Sequence, residues 1–314
     1  IAFDPSYISK SGKCTPYLGR FWSGCAKMAK RGLEISGIGL IDMDLHTSFQ
    51  LEAVQTPPTK TLEQIKYTLI DWYLHVLRTR KERLQRLTNY VVADAYFSKS
   101  TFVDGALEMG FHVISRFRDD VYFRYLTTEQ PTGKRGRPKL YDGKIEMKHL
   151  EEDRFEIINL ENGQGRILSA VVHSRSLNRD ILLCIWESED KKVRKLYFST
   201  DIQMKAIDVL DFYKTRFQVE FCFRDSKQFT GLTNCQSRDI DKLHFHFNAS
   251  LTSVNLAKVK ALEKGTVLSM TSVKVVCHNI FLMQRFISVL GIQPNPEINR
   301  KLWEEEIKFA AIAA

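Results

Sequence analysis

The chain has 314 residues, 44% hydrophobic and 26% charged, an ordinary globular balance that excludes wholesale disorder. Forty-six Lys and Arg against 37 Asp and Glu leave a formal net charge of +9, which favours a polyanionic partner, nucleic acid ahead of an anionic membrane surface. A prior of roughly 150 residues per domain predicts about two domains. No apolar run approaches the roughly 18 residues that span a bilayer, and Ile1-Ala2-Phe3-Asp4 lacks the regions of a signal peptide. With no initiating Met, the chain is expected to begin inside a longer protein. Cys14, Cys25, Cys184, Cys222, Cys235 and Cys277 form no C-x-x-C pair. That argues against a zinc ribbon or a disulfide framework, and predicts reduced thiols, mostly in the core, and a cytoplasmic setting.

Ile1–Phe3 reads as the end of an apolar strand that delivers Asp4, with Lys10–Lys13 a turn. Leu33–Asp44, bent at Gly37 and Gly39, and Thr47–Val54 pattern as two strands able to pair as a hairpin. Pro57 and Pro58 stop the second. Thr61, with Glu63 and Gln64 behind it, begins a helix whose apolar spacing runs to about Leu87. Asn89–Ala95 reads as a buried strand ending at Asp94, Ser100–Met109 as a helix stopped by Gly110, and Phe111–Phe117 as the next strand. This order predicts an α/β layer with one antiparallel flank. Residues 120–200 alternate in short strands (Arg154–Ile158, Arg166–His173, Ile181–Trp186, Lys195–Phe198) and read as a β-rich insertion. Helical spacing returns from Met204 to about Phe229, then at Leu243–Leu262, Ser272–Leu290 and Glu297–Ile312.

The most informative stretch is Asp211–Lys227. At about 100° per residue, Tyr213, Arg216, Glu220 and Lys227 fall within an arc of roughly 60° on a continuous helix. Leu210, Phe217 and Phe221 lie on the apolar side of that face. Partly buried mixed charges are costly unless paired or functional. On periodicity alone, an Arg216–Glu220 ion pair at i,i+4 with Lys227 in solvent is the favoured explanation of the face.

Tyr-x2-Arg-x3-Glu-x6-Lys, at 213, 216, 220 and 227, resembles the signature of DDE-type insertion-sequence transposases, in the subgroup named for insertion sequence four. Asp4 in Phe-Asp-Pro-Ser and Asp94 in Val-Ala-Asp-Ala-Tyr match independently, as does the order acid, acid, β insertion, Glu helix. The resemblance covers residues 1–235. It implies a ribonuclease-H-like core, with Asp4 on the first strand, Asp94 on the fourth and Glu220 on the following helix. That core (1–119 and 201–240) would be interrupted by a β-rich insertion (120–200) and followed by a helical region (241–314). It implies that Asp4, Asp94 and Glu220 hold two Mg²⁺ ions, for which Mn²⁺ can substitute. Tyr213, Arg216 and Lys227 would hold DNA phosphate. A homodimer would act on double-stranded DNA at paired element ends, in the cytoplasm at the nucleoid, with no membrane partner. The chemistry agrees: two hard cations activate the attacking oxygen and stabilise the leaving one, and Mg²⁺ prefers carboxylate oxygen. Two rival readings are a non-catalytic DNA-binding protein derived from a transposase and a ribonuclease-H-like nuclease without strand transfer.

Other candidates carry less. Lys134-Arg135-Gly136-Arg137-Pro138-Lys139 resembles an AT-hook core, in which Arg135 and Arg137 would follow a narrow A·T minor groove; the alternative is an exposed basic loop. Tyr96 and Phe97 suit either stacking on a displaced base or core packing. Asp42 and Asp44 share a strand face and could mimic a metal pair, but the resemblance places the metals elsewhere; His244 with His246 reads as core or surface, and the basic run Arg78–Arg86 as a solvated face.

Overall fold

A computed structural model describes residues 1–118, 121–127, 139–161, 163–291 and 306–311. The basic run 134–138, with Arg135 and Arg137, and most of the last expected helix lie outside these residues. The chain divides into two compact units, 1–220 and 221–314.

The first unit is built on one mixed sheet. In chain order its elements are β1 (Ala2–Ser9), β2 (Gly19–Ser23), β3 (Met28–Asp42), β4 (Thr47–Gln55), α1 (Thr59–Gln64), α2 (Leu69–Arg78), α3 (Lys81–Gln85), β5 (Tyr90–Ala93), α4 (Ser100–Glu108) and β6 (His112–Arg116). Then come β7 (Phe123–Leu126), β8 (Tyr141–Lys144), β9 (Glu156–Asn159), β10 (Arg166–Ser174), β11 (Arg179–Glu187), β12 (Arg194–Ser199) and α5 (Ala206–Thr215). Spatially the strands run β2-β3-β1-β5-β6-β12-β11-β10-β7-β8, with β4 on β3 and β9 on β10. The expected hairpin is present: β3 pairs antiparallel with β4, with a register shift at Ile38/Gly39 where the glycines predicted a bend. β1 pairs antiparallel with β3 and parallel with β5, and β5 pairs parallel with β6. The strands of residues 120–200 extend this same sheet, β12 pairing antiparallel with β6.

Helices cover both faces. Val91, Ala93 and Val113 pack with Phe3 against α2 (Tyr73, Leu74, Leu77) and α4 (Phe102, Val103, Ala106). Their neighbours Val92 and Ile114 point the other way, toward Val209 and Leu210 of α5. Side chains alternate across a strand, so a strand buried on both faces shows an unbroken apolar run, as Tyr90–Ala93 does.

Three expectations need correction. The helix expected over 61–87 is three helices. Lys66, in the left-handed region (φ 57°), ends α1 with bonds from its N–H to the Glu63 carbonyl and from the Tyr67 N–H to the Leu62 carbonyl, a Schellman arrangement. The capping box is at Thr68 and Asp71, which starts α2, while α1 has no side-chain cap. The cysteines are not mostly core: Cys184 and Cys222 are buried, but Cys14, Cys25 and Cys277 are exposed. β2 went unforeseen, because Gly19–Ser23 has no clean alternation.

The second unit contains α7 (Ile240–Glu263) and α8 (Met270–Leu290) after the bulk of α6 (Gln218–Phe229). Asp239 caps α7 by accepting from the Lys242 N–H. Val254, Ala257 and Met270 form a small core with Phe229, Leu268 and Val273. Among the described residues, α8 is long and apolar enough, by length and composition alone, to cross a membrane. That corrects the expectation of no such run; Lys274 and Arg285 within it break any uncharged stretch.

Candidate active site

The sheet places two acids side by side. β1 and β5 run parallel through Phe3 and Ala93, on strands about 4.8 Å apart. Asp4 and Asp94 are the next residue on each, where the two strands part. Asp4 is the third residue of β1, not the end of a strand, because β1 continues along β3 to Ser9. Asp94 leaves β5 to cap a 3-10 turn, Ala95–Phe97, its Oδ1 accepting from the Tyr96 N–H at 2.9 Å. The Ser115 hydroxyl donates to its carbonyl at 2.8 Å. Both interactions fix where the Asp94 carboxylate points.

The third acid comes from the junction of α5 and α6. The expected continuous helix breaks at Arg216–Phe217. Between Arg216 and Glu220 the ladder tightens to i→i+3, with the Val219 N–H on the Arg216 carbonyl and the Glu220 N–H on the Phe217 carbonyl. Tightening turns Phe217 outward, to 49% exposure, so it does not flank the face on the apolar side. Val219 seats this turn against the sheet: a Cβ on Gly39 would stand 2.8 Å from Val219 Cγ2. Gly39 therefore permits the close approach that brings Glu220 beside β1.

Arg216 joins the acids. Its Nη1 donates to Asp4 Oδ1 at 2.9 Å and its Nη2 to Glu220 Oε1 at 3.2 Å. The i,i+4 ion pair foreseen for Arg216 and Glu220 is thus present, and it reaches on to Asp4. The guanidinium lies 5.5 Å from the Tyr213 ring, which packs on Tyr197. Lys227 is half-buried in the last turn of α6, in the second unit. Burial pushes the Asp4 carboxyl up to about 7; Arg216 opposes the shift, while the Glu220 and Asp94 carboxylates add to it. Among the described residues, no three Asp, Glu, His or Cys side chains are arranged to hold a metal ion. The cation between Asp4 and Glu220 is the guanidinium. The donors are hard carboxylate oxygens of the kind Mg²⁺ takes.

A cavity of about 950 Å³ opens beside Asp4 and Asp94, with Arg20, Trp22, Tyr67, Tyr96, Arg116 and Arg118 in its walls. Buried Glu34 also lines it and accepts from the Tyr73 hydroxyl at 2.7 Å; burial raises the Glu34 carboxyl. Apart from Tyr96, none of these residues was marked by the sequence, because they come from β2, β3, the α1–α2 region and the end of β6 and share no spacing. Tyr96 lies under the Lys99 ammonium, 3.8 Å from its ring centroid, whereas Phe97 is core, packed on Phe3, Tyr73 and Phe102. Asp42 is a turn acid, its Oδ1 accepting from the Asp44 and Leu45 N–H groups. His246 pairs through Nε2 with the Gly231 carbonyl at 2.8 Å.

Comparison with known proteins adds one finding. The family model described as "Transposase DDE domain" matches residues 59–256, a stretch that contains Asp94, Tyr213, Arg216, Glu220 and Lys227 but begins after Asp4. No curated protein matches the chain. The family match covers more than half of the chain, and the chain belongs to the transposase DDE-domain family.

Proposed function

We propose that the chain is the catalytic part of a DNA transposase of the insertion-sequence-four-like subgroup, with Asp4, Asp94 and Glu220 as its metal-binding triad. The observation that carries the reading is the meeting of Asp4, from a strand outside the family match, with Glu220, from the junction inside it, on one guanidinium. A strand order of β4-β3-β1-β5-β6, antiparallel on one side of β1 and parallel on the other, supports a ribonuclease-H-like core over 1–119 and 201–240. In that reading 120–200 is an insertion on its edge and 241–314 a helical region. Asp94 follows the fifth strand here rather than the fourth, since β2 adds one.

The family uses divalent metal ions, and the three carboxylates are the residues that would hold Mg²⁺, or Mn²⁺ in its place. Bound there, two such ions would supply charge to activate the attacking oxygen and to stabilise the leaving one. The chain's own residues do the rest. Arg216 offers a planar fork to the phosphate, and Tyr213 backs the guanidinium; Lys227, in the second unit, is by itself a candidate point-charge contact to DNA phosphate. Arg20, Arg116 and Arg118 give the cavity positive walls for a nucleic-acid backbone, and Trp22, Tyr67 and Tyr96 give it surfaces on which bases stack. The products are a 3′-hydroxyl at the element end and its joining to target DNA. A homodimer on paired ends, at the nucleoid, completes the reading.

The test is Mg²⁺- or Mn²⁺-dependent nicking of an element-end duplex by the full chain, with Asp94→Ala as control. Nicking that the substitution abolishes supports the site; nicking that survives it removes the site assignment. Products joined to a target plasmid separate a transposase from a nuclease.

A further inference from the structure

We propose that Arg216 is the stand-in for a divalent cation: its guanidinium takes the place between Asp4 and Glu220 that an ion must occupy, so the Arg216 ion pairs and metal binding exclude each other. The inference rests on the reading of Asp4 and Glu220 as metal ligands.

Four observations carry it. First, two nitrogens of one guanidinium divide two acids between them, Nη1 on Asp4 and Nη2 on Glu220. Carboxylates held on a guanidinium fork stand wider apart than two oxygens on one Mg²⁺, where each metal–oxygen bond is about 2.1 Å. The acids must therefore close in when an ion replaces the guanidinium, and they cannot do so around it. Second, the described residues hold no ready-made three-donor group, as expected while the guanidinium stands between Asp4 and Glu220. Third, Arg216 is poorly satisfied where it lies. Its side chain is 9% exposed, yet its buried Nε has no hydrogen-bond partner, so the site leaves one of its donors unused. Fourth, the charges are unequal. Asp4 and Glu220 share one guanidinium, and Asp94 follows the strand paired beside Asp4.

The arginine is placed to move. It caps α5 at the head of the tightened turn, and its side chain can rotate away without disturbing the backbone that holds Glu220. The released guanidinium becomes available to a phosphate at the moment the metal is in place. DNA would then meet a free Arg216 only at a loaded site, which couples phosphate capture to readiness for cleavage.

The experiment is Mn²⁺ affinity, read by electron paramagnetic resonance on the full chain for wild type, Arg216→Gln, Arg216→Lys and Asp4→Asn. Removing the competing cation is expected to tighten Mn²⁺ binding by about tenfold in Arg216→Gln. Arg216→Lys, which keeps the charge, should bind close to wild type, and Asp4→Asn should bind at least about tenfold more weakly. Binding in Arg216→Gln that is unchanged or weaker, with Asp4→Asn weakened, overturns the exchange and leaves the metal site standing. Binding in Asp4→Asn equal to wild type overturns the site reading itself. A measurement on the unsubstituted chain guards against misfolding of the Gln variant. The ¹⁵N–¹H signal of Arg216 Nε should shift with Mg²⁺ and saturate with the binding curve. A signal that stays put while Mg²⁺ binds contradicts the proposal.

Discussion

Two ionic clusters in the sheet unit use the same kinds of side chain in different proportions. On β11, Glu187 is 0% exposed and lies between Arg166 Nε at 2.6 Å and an Arg194 nitrogen at 2.7 Å. Arg166 also reaches Glu152. Burial alone would raise the Glu187 carboxyl, but the two arginines outweigh it and hold it below the usual carboxylate range. On β1, Asp4 shares one arginine with Glu220 and has Asp94 nearby, and its carboxyl rises to about 7. One cluster sets two arginines against two acids, of which Glu187 alone is buried. The other supplies one cation to three acids. A buried acid is costly unless paired, and in the second arrangement one arginine is all that pairs Asp4 and Glu220.

Substitutions should separate the two clusters, and the largest effect belongs to catalysis. Glu220→Gln is expected to lower metal-dependent nicking by about 10³-fold or more, the scale of losing several kcal/mol of charge stabilisation. Glu187→Gln in its folded fraction should nick at close to the wild-type rate; an equal loss in both would erase the distinction. In stability the order reverses. Glu187→Gln leaves Arg166 and Arg194 around a neutral group and should cost about 3–5 kcal/mol in denaturant unfolding. Asp4→Asn, which relieves crowded carboxylates, should cost less than about 1 kcal/mol in chelator.

Acid and base should act on opposite sides. Glu187 has a lowered folded pKa, so its contribution is present above the ordinary value of 4.5 and is lost as pH falls through the folded value. Glu34, in the cavity wall, is raised by burial. Its contribution is present below 4.5 and is lost as pH rises through its folded value. Glu34→Gln, which can still accept from Tyr73, should therefore flatten the fall in melting temperature on the alkaline side and leave the acid limb intact. The smallest effect is expected at the surface, where Arg80 pairs with Glu52 at 2.6 Å and both stay partly solvated. Arg80→Ala should cost no more than about 1 kcal/mol, and a larger loss would show that pairing alone, without burial, sets the contrast.

One side of this contrast was legible in the sequence, and the limits have physical causes. Asp4, Asp94 and Glu220 stood out through the family resemblance; alone, each Asp reads as a strand-end turn acid and the helix face as an ion pair. The parallel sheet core was readable from Tyr90–Ala93, whose apolar run shows burial on both faces. The Arg216–Phe217 break was hidden because a 3-10 turn leaves the apolar spacing on either side nearly intact. The breaks at Lys66 and Thr79–Arg80 were hidden for a different reason: neither uses Gly or Pro. The cavity walls and the Glu187 cluster were invisible because each draws residues from strands far apart in sequence, and no short-range spacing records that meeting.

The central claim is that a divalent ion binds among Asp4, Asp94 and Glu220. The most direct test loads Fe²⁺ in place of Mg²⁺, adds ascorbate and peroxide, and maps by mass spectrometry where hydroxyl radicals cut the chain. The account predicts cuts clustered near residues 4, 94 and 216–220, suppressed by excess Mg²⁺ and lost in Asp4→Asn. Cuts that gather instead around Glu152 and Glu187, or that persist near residue 94 in Asp4→Asn, would contradict it.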